Sequence, residues 1–99
     1  MKVPVVNRKE YIIYLEYFNE MYWLHTDVFK WSSSVKKKYL EELETLQRLL
    51  NTTMYGLVEQ ENTKLGKFGE TIGFTYLRDL LGNDGNLYRI YKRSPQWVA

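Results

Sequence analysis

The chain's one histidine and a nearby aspartate lie in a stretch rich in aromatic and β-branched residues. His25 and Asp27 share one face of a predicted strand, because side chains alternate across a strand. A carboxylate that orients a histidine can serve as a general base. A half-buried polar pair beside Trp23 and Phe29 is the favoured alternative, since neither a nucleophile nor an acid accompanies the two residues.

A second candidate site combines three serines with three lysines: Ser32, Ser33, Ser34, Lys36, Lys37 and Lys38. The serines precede a predicted helix and the lysines fall in its first turn, where each positive charge opposes the helix dipole by about 0.3–1 kcal/mol. Helix stability therefore does not explain the lysines. Free N–H groups and positive charge can hold a CoA diphosphate, a nucleic-acid backbone or an acidic protein patch. The alternative is a solvated basic face balanced by Glu41, Glu42 and Glu44.

Composition narrows the chemistry further. The 99 residues contain no cysteine, which excludes disulfides, thiol nucleophiles and cysteine-based zinc sites. We expect no metal site, because the segment Asn83–Asn86 lacks the downstream glutamate of a calcium loop and predicts a turn. No apolar run has the length of a signal peptide or of a membrane span, so neither export nor membrane insertion is expected.

Nucleic-acid binding is a minor alternative. The net charge of +2 is too small to indicate it. Trp23, Trp31 and Trp97 invite a hypothesis of base stacking, but only the tail from Arg89 to Trp97 mixes aromatic and basic residues. A short basic end of this kind is more often simply solvated.

The elements that would position these residues follow from hydrophobic periodicity and turn residues. They are a hairpin over 10–29, a long helix over 32–50, a strand over 52–58, a short helix over 62–72 and a C-terminal hairpin over 74–91. The order β-β-α-β-α-β-β predicts one α+β domain over 1–99, with the strand after the long helix joined by a right-handed parallel crossover.

This order resembles the C-terminal half of the GCN5-related N-acetyltransferase (GNAT) fold over about Glu20 to Arg93. Five residues match the family's Asn-x-x-Ala-x-x-Leu-Tyr-x-x-x-Gly-Phe segment: Asn62, Leu65, Phe68, Gly73 and Phe74. A closer likeness is to the internal virion protein A type of T7-like phages, which share the Trp-rich strand, the Ser/Lys-rich helix start and the Asn-Thr…Phe…Thr-Ile-Gly helix. The resemblance implies a phage gene product that acts in the virion or the host cytoplasm.

The resemblance also implies where acetyl-CoA would bind. The family holds the pyrophosphate at the start of the long helix in a Gln/Arg-x-x-Gly-x-Gly/Ala loop, and the match places Trp31 at the Gln/Arg and Ser34 and Lys36 at the two glycines. The family's tyrosine acid matches Gly69, which has no side chain. We therefore expect no cofactor, with acetyl-CoA as the alternative, and the candidate cofactor-binding residues are Ser32, Ser33, Ser34, Lys36, Lys37 and Asn62.

The family's first strand and two following helices have no counterpart in the predicted order. We therefore expect the strand Tyr11–Phe18 to lie exposed at a sheet edge, where it would bind a protein partner or a second copy. The candidate partner-binding residues are Tyr11, Tyr14, Tyr17, Trp23 and Trp31. The preferred hypothesis is a catalytically degenerate acetyltransferase-like protein that acts as a virion component or as an inhibitor of a host protein. The alternative is a minimal acetyl-CoA-dependent N-acetyltransferase with His25 or Asp27 as base.

Overall fold

The computed structural model describes residues 1–95. Its strands are β1 (Lys2–Asn7), β2 (Tyr11–Phe18), β3 (Met21–Val28), β4 (Met54–Glu59), β5 (Thr75–Leu81) and β6 (Leu87–Arg93), and its helices are α1 (Ser33–Leu50) and α2 (Thr63–Thr71). These strands form one mixed sheet in the order β1-β2-β3-β4-β6-β5. The predicted α+β class, with helices packed on a mixed sheet, is confirmed, and the predicted order lacks only β1.

Strand β1 is the element that sequence reasoning missed. It pairs antiparallel with β2, and its register shifts between Pro4 and Val6. Proline has no N–H and is confined to edge strands and bulges, which is why this segment does not have the pattern of a regular strand. The prediction that Tyr11–Phe18 forms a sheet edge is wrong, because β1 covers it and the edges of the sheet are β1 and β5.

Both helices pack on the same face of the sheet. Tyr39 and Leu43 of α1 and Ile13 of β2 are fully buried there, and Phe68 of α2 packs against the same cluster. The ring centroids of Tyr39 and Phe68 lie 5.8 Å apart, so the two helices meet over the sheet. The apolar spacing that predicts α1 is therefore the stripe by which the helix is buried.

A buried polar network fixes the far end of α1 against the last strand. Arg93 of β6 donates from Nε to the carbonyl of Ile72 at 2.9 Å and from its guanidinium to the side chain of Gln47. Gln47 is fully buried, and its amide donates to the carbonyls of Thr52, at 3.2 Å, and Arg93. Desolvation lowers the pKa of Arg93 below its ordinary value. These bonds satisfy polar groups that would be costly to bury without partners.

Candidate functional site

The two central strands, β3 and β4, run parallel but pair only near their first residues. Tyr22 lies opposite Met54 and Trp23 opposite Tyr55, and the register of the pair ends there. Strands β2 and β3, by contrast, pair along their whole length. We call the junction of β3 and β4 the seam. Beyond Trp23 the seam opens, so backbone groups of β3 that point toward β4 have no partner in that strand.

The open part of the seam is a cavity of about 200 Å³. Its lining mixes apolar and polar surface and comes from β1, β3, β4, α2, the turn after α2 and β6: Lys2, Leu24, His25, Thr26, Gly56, Leu57, Val58, Leu65, Phe68, Gly69, Ile72, Phe74 and Tyr91. The side chains in this lining that could exchange a proton are those of Lys2, His25 and Tyr91. The cavity therefore offers few groups for acid–base chemistry.

His25 and Asp27, predicted as a candidate pair, each contact a different residue. Nε2 of His25 lies 3.0 Å from Oε1 of Glu16, and Asp27 accepts a hydrogen bond from the hydroxyl of Tyr14 at 2.8 Å. The bond to His25, and then the bond from the Met1 ammonium, hold the pKa of Glu16 below its ordinary value. The less favoured hypothesis, that Asp27 orients His25, is wrong, because the carboxylate that contacts this histidine is Glu16 of β2.

Two further positions in the cavity lining, Thr26 and Gly69, supply no free acid or base. The hydroxyls of Thr26 and Tyr39 lie 2.6 Å apart. Burial raises the pKa of Tyr39 to about 12, so its phenol stays neutral at physiological pH. Gly69 stands in the cavity wall without a side chain, and a Cβ there would lie 3.8 Å from Phe74.

The start of α1 carries the serines and lysines of the second candidate site. Ser32 is the N-cap, and its hydroxyl accepts from the N–H of Val35 at 3.2 Å. The hydroxyl of Ser34 lies 3.1 Å from that of Ser32. Ser33 and Lys37 are exposed and Lys36 is half-buried. This turn is an accessible positive surface whose capping position is satisfied by its own serine.

Trp31 lies beside this turn and joins the two helices. Its ring centroid is 5.1 Å from that of Phe68 in α2 and 5.8 Å from that of Tyr39 in α1. Both contacts are edge-to-face, the geometry that aromatic pairs prefer. The indole therefore occupies the space between the start of α1 and α2.

Asn62 caps the other helix. Its side-chain oxygen accepts from the N–H of Leu65 at 3.1 Å, which makes it the N-cap of α2. It does not line the seam cavity. Helix capping therefore gives this asparagine a structural role.

The residues predicted to bind a partner fall on different surfaces. Tyr11 is fully buried, and its hydroxyl donates to Glu42, so its assignment to a partner surface is wrong. Tyr14 and Trp23 lie on the sheet face opposite the helices, since their registers place them with His25 and Glu16. Tyr17 is 61% exposed but lies on the other face, and Trp31 packs between the helices and is 40% exposed. Trp97, which was considered for base stacking, falls outside the described residues.

Comparisons with known proteins resolve the fold. No family model matches the chain, and no curated protein matches it. A GnaT-family acetyltransferase from Bordetella pertussis superposes with a TM-score of 0.68 at 14% identity, over 92% of this chain and 61% of that one. The yncA acetyltransferase structure from Salmonella typhimurium, solved with its cofactor acetyl-CoA, gives 0.66 at 13% identity, over 91% and 60%. A mutant of the spermidine N-acetyltransferase SpeG from Vibrio cholerae gives 0.66 at 14% identity, over 86% and 57%.

The chain has a GNAT-type acetyltransferase fold. At this level of identity the likeness concerns the fold alone, and the chain spans about three fifths of the length of these neighbours. The predicted GNAT-like topology is therefore confirmed. In addition, no helix among residues 1–95 is long and apolar enough to cross a membrane.

The GNAT resemblance allows a test of whether acetyl-CoA fits. Backbone that approaches a phosphate closely needs glycine. The two positions that the resemblance assigns to glycine carry Ser34 and Lys36, and Trp31 stands at the position of the Gln or Arg with its ring packed on Phe68. These three positions therefore depart from the family's glycine-containing phosphate motif.

Proposed function

We propose that this protein is a GNAT-like phage protein without transferase activity that acts by binding another protein, as a virion component or as an inhibitor of a host protein. The observation that carries the proposal is the sheet face opposite α1 and α2, which no element of residues 1–95 covers. Tyr14, Trp23, Tyr55 and Leu57 lie on this face by register. Aromatic residues with a polar rim are the composition of a protein contact surface.

The chain lacks two features that the GNAT resemblance assigns to an active transferase, and this supports the same proposal. Gly69 leaves no acid at the position that the resemblance assigns to tyrosine, and the cavity lining has few proton-exchanging groups. Removing the acid slows transfer from a thioester without forbidding it. The side chains of Ser34 and Lys36 add a second loss at the phosphate end.

The open seam favours a second candidate function, which is a minimal acetyl-CoA-dependent N-acetyltransferase. Free backbone groups along β3 suit an extended ligand that contains amides, and Leu57 and Phe68 offer apolar contact. His25 would be the base, held by Glu16 at 3.0 Å.

One titration separates the two functions. Calorimetry with acetyl-CoA is expected to give no binding heat up to about 1 mM. A Kd of about 1 mM would correspond to a binding free energy of about −4 kcal/mol. Binding near 1 µM, about −8 kcal/mol, would favour the transferase instead. A mass-spectrometric assay with spermidine and a lysine peptide as acceptors is expected to show no acetylated product.

The binding part of the proposal has its own matched pair of variants. Tyr14→Asp places a charge on the open face and is expected to abolish association with the partner or with a second copy. Tyr17→Asp makes the same change on the other face and is expected to leave association intact. Equal effects of the two variants in sedimentation would refute the open face as the contact surface.

A further inference from the structure

Four neighbouring strands carry one row of side chains across the open face. The registers place Glu16 of β2 opposite Trp23 of β3, Trp23 opposite Tyr55 of β4, and Tyr55 opposite Lys92 of β6. Residues that lie opposite each other in a sheet point to the same side. The row therefore runs acid, aromatic, aromatic, base, and its two aromatic ring centroids are 5.6 Å apart.

A row with this sequence of side chains is complementary to itself. A two-fold axis parallel to the strands, lying between two facing sheets, reverses the order of the strands in the second copy. Acid then meets base at both ends, and aromatic meets aromatic in the middle. In the next row, His25 would face Leu57 of the second copy, which is exposed, whereas Ile90 is already buried within its own chain.

We propose that a second copy of this chain packs on the open face, with Glu16 facing Lys92 of the other copy and Trp23 facing Tyr55. This inference rests on the proposed protein-binding function and names the partner. Sheets that pack face to face lie about 10 Å apart, a distance that Glu and Lys side chains can span. In an isologous two-fold contact each such pair occurs twice, so the interface contains two Glu16–Lys92 pairs.

Charges around the row fit this arrangement. The carbonyl of Lys92 accepts a hydrogen bond from the hydroxyl of Thr75 at 3.5 Å. Its side-chain ammonium has no hydrogen bond or ion pair within residues 1–95, so it can pair with the second copy. Glu16 contacts His25 and the Met1 ammonium within its own chain, and one oxygen can accept more than one bond. Lys2 of β1 lies opposite Glu16 within its own chain and would face Thr75 of the second copy. Asp27 against Glu59 is an unfavourable pair, and these residues lie beside the open part of the seam rather than at the row.

A dimer of this kind needs one broad face. A standard interface buries about 800 Å² on each partner, and the chain has 6938 Å² of accessible surface in all. The molecule is also flat, with extents of 37 × 33 × 24 Å, so one broad face is available.

Charge reversal tests the inference directly by sedimentation equilibrium from about 1 µM to about 1 mM. The wild type is expected to form a dimer in this range. Glu16→Lys and Lys92→Glu each put like charges together at both ends of the row and are expected to weaken the dimer about tenfold or more. The double variant restores opposite charges and is expected to return to within about threefold of the wild type.

The matched control inverts a charge pair on the helix layer. Lys37→Glu combined with Glu41→Lys makes the same exchange on α1 and is expected to leave the dimer unchanged. If Glu16→Lys does not fold by circular dichroism, Glu16→Gln takes its place, with a smaller loss expected. A wild type that stays monomeric throughout, or a double variant no tighter than the singles, would overturn the inference. The proposed function could still hold if either result is obtained. It would be supported by a different protein that binds the wild type and Tyr17→Asp but not Tyr14→Asp.

Discussion

Glu42 of helix α1 is bonded to the loop between β1 and β2 and to the start of β2. Arg8 donates from Nε to its Oε2 at 3.1 Å, and the buried hydroxyl of Tyr11 donates to its Oε1. The hydrogen bond from Arg8 is the main cause that holds the pKa of Glu42 below its ordinary value of 4.5. The sequence offers Glu42 as a solvent-facing member of a charge run, and only the fold shows that Tyr11 and Arg8 converge on it.

The lowered pKa makes this cluster sensitive to acid. A carboxylate whose pKa is lower in the folded than in the unfolded state contributes stability that is complete above the unfolded pKa and is lost as the pH falls through the folded one. Glu42→Gln is expected to lower the free energy of unfolding by about 1–2 kcal/mol at pH 7, and by less toward pH 3. Urea unfolding at both pH values measures this. Glu44→Gln, at an exposed i,i+4 pair with Arg48, is the control and should change little. If Glu42→Gln lowers the free energy of unfolding equally at both pH values, the stabilisation does not come from the lowered pKa of Glu42.

Two glycines of α2 differ in the space around them. A Cβ at Gly66 would lie 2.9 Å from the hydroxyl of Tyr91, which is 5% exposed, whereas a Cβ at Gly69 would lie 3.8 Å from Phe74. Gly69→Ala is expected to raise the free energy of unfolding by about 0.5–1 kcal/mol, because alanine favours the helix. Gly66→Ala is expected to lower the free energy of unfolding, although alanine brings the same gain in helix propensity, because its Cβ would be too close to the hydroxyl of Tyr91.

The hydroxyl of Tyr91 supplies the control for that comparison. Tyr91→Phe removes the atom that a Cβ at position 66 would meet. The combined variant with Gly66→Ala is therefore expected to be more stable than Gly66→Ala alone, as measured by thermal unfolding. An unchanged or lower stability of the combined variant would show that another contact opposes a side chain at position 66.

At the scale of elements, α1 shows how far sequence reasoning extends. Ser32 as cap and the spacing of Val35, Tyr39 and Leu43 suffice to predict the helix, because capping and periodicity are local properties. Strand β1 escapes prediction because Pro4 and the register shift near Val6 hide its alternation. The row of Glu16, Trp23, Tyr55 and Lys92 escapes too, since it depends on register between strands distant in sequence. Pairing of His25 with Glu16 was missed for the same reason.

The first turn of α1, Ser33–Lys36, carries no acidic residue. Adding one there is expected to stabilise the helix. Ser34→Glu puts a negative charge at the positive end of the dipole and four residues before Lys38, the favourable orientation of an ion pair. The free energy of unfolding is expected to rise by about 0.5 kcal/mol. Ser34→Lys reverses the sign and is expected to lower it by a similar amount. If both variants shift the midpoint in thermal unfolding in the same direction, the dipole argument fails.

At the scale of the whole molecule, the sheet consists of two three-stranded halves, β1-β2-β3 and β4-β6-β5, joined by a seam of two residue pairs. The continuous core under α1 and α2 therefore holds the halves together more than the strand pairing does.

Backbone amides without a partner exchange from local openings rather than global unfolding. We expect hydrogen exchange to alternate along Leu24–Val28, with amides bonded to β2 protected and those that face the seam exchanging about 100-fold faster or more. Adding acetyl-CoA should leave this alternation unchanged if transfer has been lost, whereas protection of the seam amides would mean that a ligand has filled the gap. Uniform protection in the free protein would show instead that the seam closes in solution, and that the cavity is not an opening for any ligand.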